Sequence, residues 1–76
     1  MRPERQTERR QLAEALTGAL DTLPVAQRVA FVLCDVEERT SSEVARIVGV
    51  PEATVRTRLF HARKKLRAEL SARGLG

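Results

Sequence analysis

Residues 51–70 read PEATVRTRLFHARKKLRAEL, twenty positions without a glycine and with no proline after the first. Val55, Leu59, Ala62, Leu66 and Leu70 recur at the i, i+4, i+7, i+11, i+15 spacing of a buried helical stripe. The spacing predicts one long helix with two unlike faces. Turning about 100° per residue from Val55, the positions most directly opposite the stripe are Ala53, Thr57, Phe60 and Lys64, with Arg56 and His61 beside them. That outer face is cationic and carries an aromatic ring.

Immediately upstream, Thr40-Ser41-Ser42-Glu43 has the form of a capping box, in which Thr40 caps a helix and Glu43 reaches back to the cap's backbone N–H. Val44, Ala45 and Val48 give this short helix a buried side, and Gly49 can take the left-handed conformation that ends it. Val50-Pro51 then restarts the chain as the long helix. Two helices joined by a glycine-containing turn of about three residues make a helix-turn-helix pattern.

Further upstream the apolar spacing is again helical. Leu12, Leu16 and Leu20, with Ala13, Ala15 and Ala19 beside them, predict an amphipathic helix from Thr7 to Asp21 or Thr22, weakened slightly by Gly18. Leu23-Pro24 breaks the chain, because the residue before proline avoids the helical region whereas proline suits a first helical turn. From there Val25, Val29, Val32, Leu33 and Val36 form the most regular apolar stripe in the chain, which predicts a central helix. Asp35, Glu37 and Glu38 sit near its C-terminus, where the helix dipole disfavours negative charge, and the sequence offers no reason for them.

The whole chain has 76 residues, enough for one domain with a modest core and too few for a large enzyme cleft. Its apolar residues are mainly Ala, Val and Leu, its aromatics are Phe31 and Phe60 alone, and no run alternates as a strand would. The expected fold is an all-α, compact four-helix domain with a C-terminal helix-turn-helix and no winged elements. The formal charge is +4, unevenly placed: residues 1–51 hold 7 basic and 8 acidic side chains, residues 52–76 hold 7 basic and 2 acidic. A cationic excess confined to the last helix and tail points to a polyanion partner more than to a merely solvated helical face.

Cys34 is the only cysteine, so no internal disulfide can form, and nothing resembles a signal peptide or a membrane span. The cytoplasm is the default compartment. Within the apolar run FVLC, Cys34 reads as a small buried hydrophobe. His61 is the only histidine, so no zinc set can be assembled. No paired carboxylates, nucleophile with a base, or phosphate-binding glycine loop is present. The chain is expected to be no enzyme and to need no cofactor or metal.

A helix-turn-helix lays its second helix in the major groove, where the first turns meet base edges. The DNA-contact candidates are therefore Thr54, Arg56, Thr57, Phe60, His61 and Lys64, joined by Ser41 and Ser42 at the start of the preceding helix, a candidate phosphate clamp. Thr57 can exchange a hydrogen bond with a base, Phe60 can meet a thymine methyl, and Arg56 can reach a guanine edge or a phosphate. Phe60 can instead pack on protein. Arg58 and Arg63 border the stripe, so a structural ion pair, for instance Arg58 with Glu43, competes with phosphate contact.

The run LPVAQRVAFVLCDVEERTSSEVARIVGVPEATVRTRLFHARKKL, from Leu23 to Leu66, closely resembles region 4 of bacterial sigma-70-type RNA polymerase sigma factors, the extracytoplasmic-function group above all. Leu23-Pro24, Glu43-Val44-Ala45, Gly49, Thr54 to Leu59, Ala62-Arg63 and Leu66 carry the likeness. Residues 1–10 are charged and lack an apolar stripe, so a flexible segment is expected there, followed by a region 4 domain at 11–70 and a flexible tail at 71–76. The resemblance also implies binding of double-stranded promoter DNA at the minus-35 element, docking on the β flap of RNA polymerase core, and capture by an anti-sigma factor. The family's base-reading positions fall on Arg56, Thr57, Phe60 and His61. His61 stands where arginine is common, and Glu38-Arg39 replaces a frequent glycine-hydrophobe pair. Region 2 of the family is absent from the chain, so an excised domain, or a protein unable to initiate transcription alone, is expected.

Two alternatives remain at this level. One is the output domain of a response regulator, which shares the helix-turn-helix but adds a dimerisation helix, whereas this chain is expected to be a monomer on its own. The other is a module whose apolar grooves hold protein rather than DNA.

Overall fold

In the computed structural model, backbone is described for residues 3–74 and side chains for residues 7–74. Pro51 opens the last helix, its extended backbone (φ −60°, ψ 149°) placing it just outside the first turn. With nothing to break it, that helix, α4, runs Glu52–Ala72. Val55, Leu59, Ala62 and Leu66 are buried along it, as the spacing predicts, and Leu70 is half-buried.

The other helices are α1 (Pro3–Asp21), α2 (Val25–Phe31) and α3 (Ser41–Val48). A π-helical turn, Val32–Val36, prolongs α2. No strand occurs among the described residues, so the fold is all-α. Helix α1 begins at Pro3, four residues before the expected start, because proline suits a first helical turn and nothing at residues 4–6 interrupts. It ends at Asp21, where the Thr22 hydroxyl donates to the Ala19 carbonyl at 2.6 Å.

Helix α4 carries two apolar clusters along one stripe. Towards its C-terminal half, Ala62 and Leu66 meet Ala19 and Leu23, with Leu20, Phe31 and Leu70 packed around them. Towards its start, Val55 meets Val44 and Ala45, with Leu33, Cys34, Val48 and Val50 at the margin. Cys34 is half-buried there, consistent with a packing role.

The valine stripe of α2 is not the core that its regularity predicts. Val25 is 65% and Val36 57% exposed, while Ala30, outside the stripe, is buried. Small Ala30 allows close approach between helices, which turns the valine row towards the edge. Beyond Phe31 the π turn advances each residue by less than an α-helical step, so Val36 drifts out of phase. The central element is α4, not α2. Likewise on α1, Ala19 is fully buried whereas Leu12 is 55% exposed.

Candidate nucleic-acid interface

The start of α3 is fixed by the capping box that the sequence predicts. Thr40 Oγ1 accepts from the Glu43 N–H at 3.1 Å, and Glu43 Oε1 accepts from the Thr40 N–H at 3.0 Å. That backbone bond holds the Glu43 carboxyl below the usual carboxylate range. The helix ends at Gly49 (φ 74°), whose N–H and that of Val50 both donate to the Ala45 carbonyl, at 2.9 and 3.1 Å. Three residues, 49–51, therefore separate α3 from α4.

On α4 the residues opposite the buried stripe are open to solvent: Ala53, Arg56, Thr57, Phe60, His61 and Lys64 are all exposed. Phe60 is 63% exposed, a large apolar group with no core to enter. Its ring meets the edge of His61, with centroids 5.4 Å apart and planes at 74°. The Thr57 hydroxyl donates to the Ala53 carbonyl at 3.0 Å, which leaves its oxygen lone pairs facing out as acceptors. Arg56 Nη2 is held by Glu52 Oε1, one helical turn back, at 2.5 Å.

Thr54 sits differently. It is half-buried in the first turn, with its N–H donating to the Pro51 carbonyl at 3.0 Å. Ser42 is exposed, whereas Ser41 is half-buried beside the Cys34 thiol. Burial, reinforced by the neighbouring Asp35 charge, pushes that thiol up, so Cys34 is a poor nucleophile.

Arg63 is committed to structure. Its Nε donates to Asp35 Oδ2 at 2.8 Å and its Nη2 to Asp35 Oδ1 at 2.6 Å. The ion pair suggested for Arg58 with Glu43 does not form, since Glu43 closes the capping box while Arg58 lines an apolar cleft with Ala26, Val29, Val44, Val48 and Val55. Asp35 thereby gains the reason that the sequence withholds, and Glu37 accepts from Arg39 Nε at 3.2 Å.

Arg56, Phe60, Lys64 and Arg67 lie along one open groove with Ser41 and Arg63. Arg67 was legible in the sequence, since it falls four positions after Arg63 and eleven after Arg56 on the same side of the helix. The apolar cleft at Arg58 lies on another side of α4. Among the described residues no cluster of His, Cys, Asp or Glu fits a metal ion, and no helix is long and apolar enough to cross a membrane.

Residues 13–66 match the family model described as sigma-70, region 4. Over 60 residues the chain is 42% identical to an ECF RNA polymerase sigma factor, SigE, of Mycolicibacterium smegmatis, covering 79% of this chain and 23% of that protein. It is 43% identical over 54 residues to an ECF RNA polymerase sigma factor, SigM, of Mycobacterium tuberculosis, covering 71% of this chain and 28% of that protein. The chain thus spans about a quarter of the length of these relatives. With the match running from α1 to the last core leucine of α4, the chain belongs to the region 4 family of sigma-70 factors, a family of transcription-initiation factors rather than enzymes.

Proposed function

We propose that this chain is the promoter-reading module of an extracytoplasmic-function sigma factor, with α3, the turn and α4 acting as a helix-turn-helix on the minus-35 element. The observation that carries it is the solvent-facing row Arg56, Thr57, Phe60, His61 and Lys64 on a helix whose opposite face is buried. Arg56 is placed to meet a guanine edge. Thr57, its hydroxyl hydrogen already bonded to the Ala53 carbonyl, is suited to accept from an adenine or cytosine amino group, and Phe60 to touch a thymine methyl. Thr54 lies at the margin of this surface. Ser42 and Ser41 at the start of α3, together with Lys64, supply phosphate contacts.

Docking on the β flap of RNA polymerase core is assigned to the apolar cleft between α2, α3 and α4, which leaves the DNA-facing row free. Capture by an anti-sigma factor is a second use of apolar surface, favoured by the exposed Val25, Val36 and Ile47. We place the module at residues 11–70, in the cytoplasm with the promoter DNA, and acting as a monomer. Membership of the region 4 family displaces the response-regulator alternative.

The test is selection of a preferred duplex from a randomised pool, followed by anisotropy titrations of the chain, Arg56→Ala and Phe60→Ala on that duplex and on random DNA. Base reading requires that both variants lose more affinity for the selected duplex than for random DNA. Equal losses on the two would refute it.

A further inference from the structure

We infer that Glu52 is a specificity-determining residue of this interface, one that withholds Arg56 from phosphate and releases it to a base edge; the inference rests on the promoter-reading function proposed above. Glu52 is the one acidic side chain in the first turn of α4, and the next on that helix, Glu69, is near its far end. An acidic group here is stabilised by the helix dipole, but it faces a polyanion if the helix enters a DNA groove. A surface evolved for affinity alone gains nothing from it.

The geometry shows what the carboxylate does. Its Oε1 meets Arg56 Nη2 at 2.5 Å, with both side chains substantially exposed, 42% and 66%. An exposed pair of this kind adds little to stability, so its effect falls on what Arg56 can bind. Paired with Glu52, Arg56 carries almost no net charge towards the sugar-phosphate backbone. A single phosphate oxygen replaces one carboxylate bond by another of the same kind and brings its charge up against Glu52. A guanine edge, with O6 and N7 side by side, offers two acceptors to the guanidinium without adding a phosphate to the carboxylate's surroundings. The pair therefore penalises non-specific contact more than base contact, which is specificity obtained by repelling the wrong partner. It also holds the guanidinium in one place before DNA arrives.

The experiment uses the whole chain, Glu52→Gln, Arg56→Ala and the double variant, each checked for helical circular dichroism. Each is titrated on the duplex selected by the unsubstituted chain and on random duplex, across a salt series. Glu52→Gln is expected to bind random duplex about threefold or more tightly at about 0.1 M salt, with a salt slope steeper by about one. Its ratio of selected to random affinity should fall by about fivefold. In the Arg56→Ala background the same change should leave that ratio unaltered. An unaltered ratio in the single variant overturns the inference, as does an equal fall with Arg56 absent, since Glu52 would then act without Arg56. If the unsubstituted chain prefers no sequence, the promoter-reading function fails first, and the inference falls with it.

Discussion

Asp35 and Arg63, 28 positions apart in the chain, face each other with two parallel hydrogen bonds of 2.6 and 2.8 Å, joining the π turn after α2 to the middle of α4. The two-pronged geometry fixes orientation as well as distance, so the turn cannot slide along α4 without breaking both bonds. Asp35 is 26% and Arg63 54% exposed, which keeps the energetic contribution well below that of a buried pair.

Asp35→Asn is expected to lower stability by about 0.5–1 kcal/mol in urea melts near neutral pH. The bond from Arg63 holds the Asp35 carboxyl below its ordinary value. A carboxyl depressed in the folded state contributes stability that is fully present above its unfolded value, near about 3.9, and lost as pH falls through the folded one. The gap between the two proteins should therefore be constant above about pH 5 and close below about pH 4. A gap that persists at about pH 2 would count against the ion pair as its source.

Glu38 follows the π turn with φ 58°, the only non-glycine residue at positive φ among those described. That conformation lets the Arg39 N–H reach the Leu33 carbonyl at 3.0 Å and turns the chain towards α3. A side chain in this region costs about 1–2 kcal/mol, which glycine avoids at a smaller entropic cost. Glu38→Gly should raise the urea midpoint by an amount equal to about 0.5–1 kcal/mol, with no change in slope. A lowered midpoint would show that the backbone there is not under strain.

What could be read from the sequence depended on how local its cause was. Val55, Leu59, Ala62 and Leu66 were legible because an uninterrupted helix preserves phase over about three turns, and Thr40, Glu43 and Gly49 because a cap is made by neighbours. The valines of α2 misled because burial there falls on Ala30, beside the valine row, and because a π turn that no spacing announces follows. Asp35 had no visible purpose because its partner lies on another helix. The exposed row on α4 was legible as the complement of its stripe, but the bonds made by Thr57 and Arg56 within that row were not.

Ala19 and Ala62 are both completely buried in the cluster that joins α1 to α4, and the absence of bulk lets the two helices approach. Ala62→Leu inserts a branched side chain where no space exists, and overpacking of this kind costs about 1–3 kcal/mol. Thr40→Ala, by contrast, removes a cap at the surface and should cost about 1 kcal/mol. Urea melts of the two variants should give losses in that order or equal. A stabilised Ala62→Leu would mean that the helices are less closely packed than the burial of both alanines indicates.

Lys64 and Arg63 are adjacent cations on α4 whose replacement should change the salt dependence of DNA binding by unequal amounts. Lys64 makes no ion pair among the described residues, whereas Arg63 is already neutralised by Asp35. A free cation that meets a phosphate releases about one counterion, so Lys64→Ala should reduce the slope of log affinity against log salt by about one. It should do so equally on selected and random duplexes, because a phosphate contact carries no sequence information. Arg63→Ala removes a charge that Asp35 had cancelled and exposes that carboxylate instead. Its slope should change less than that of Lys64→Ala, while its urea midpoint falls more. Parallel salt titrations and melts of the two variants separate these outcomes, and an equal loss of slope in both would mean that Arg63 leaves Asp35 for the phosphate backbone when DNA binds.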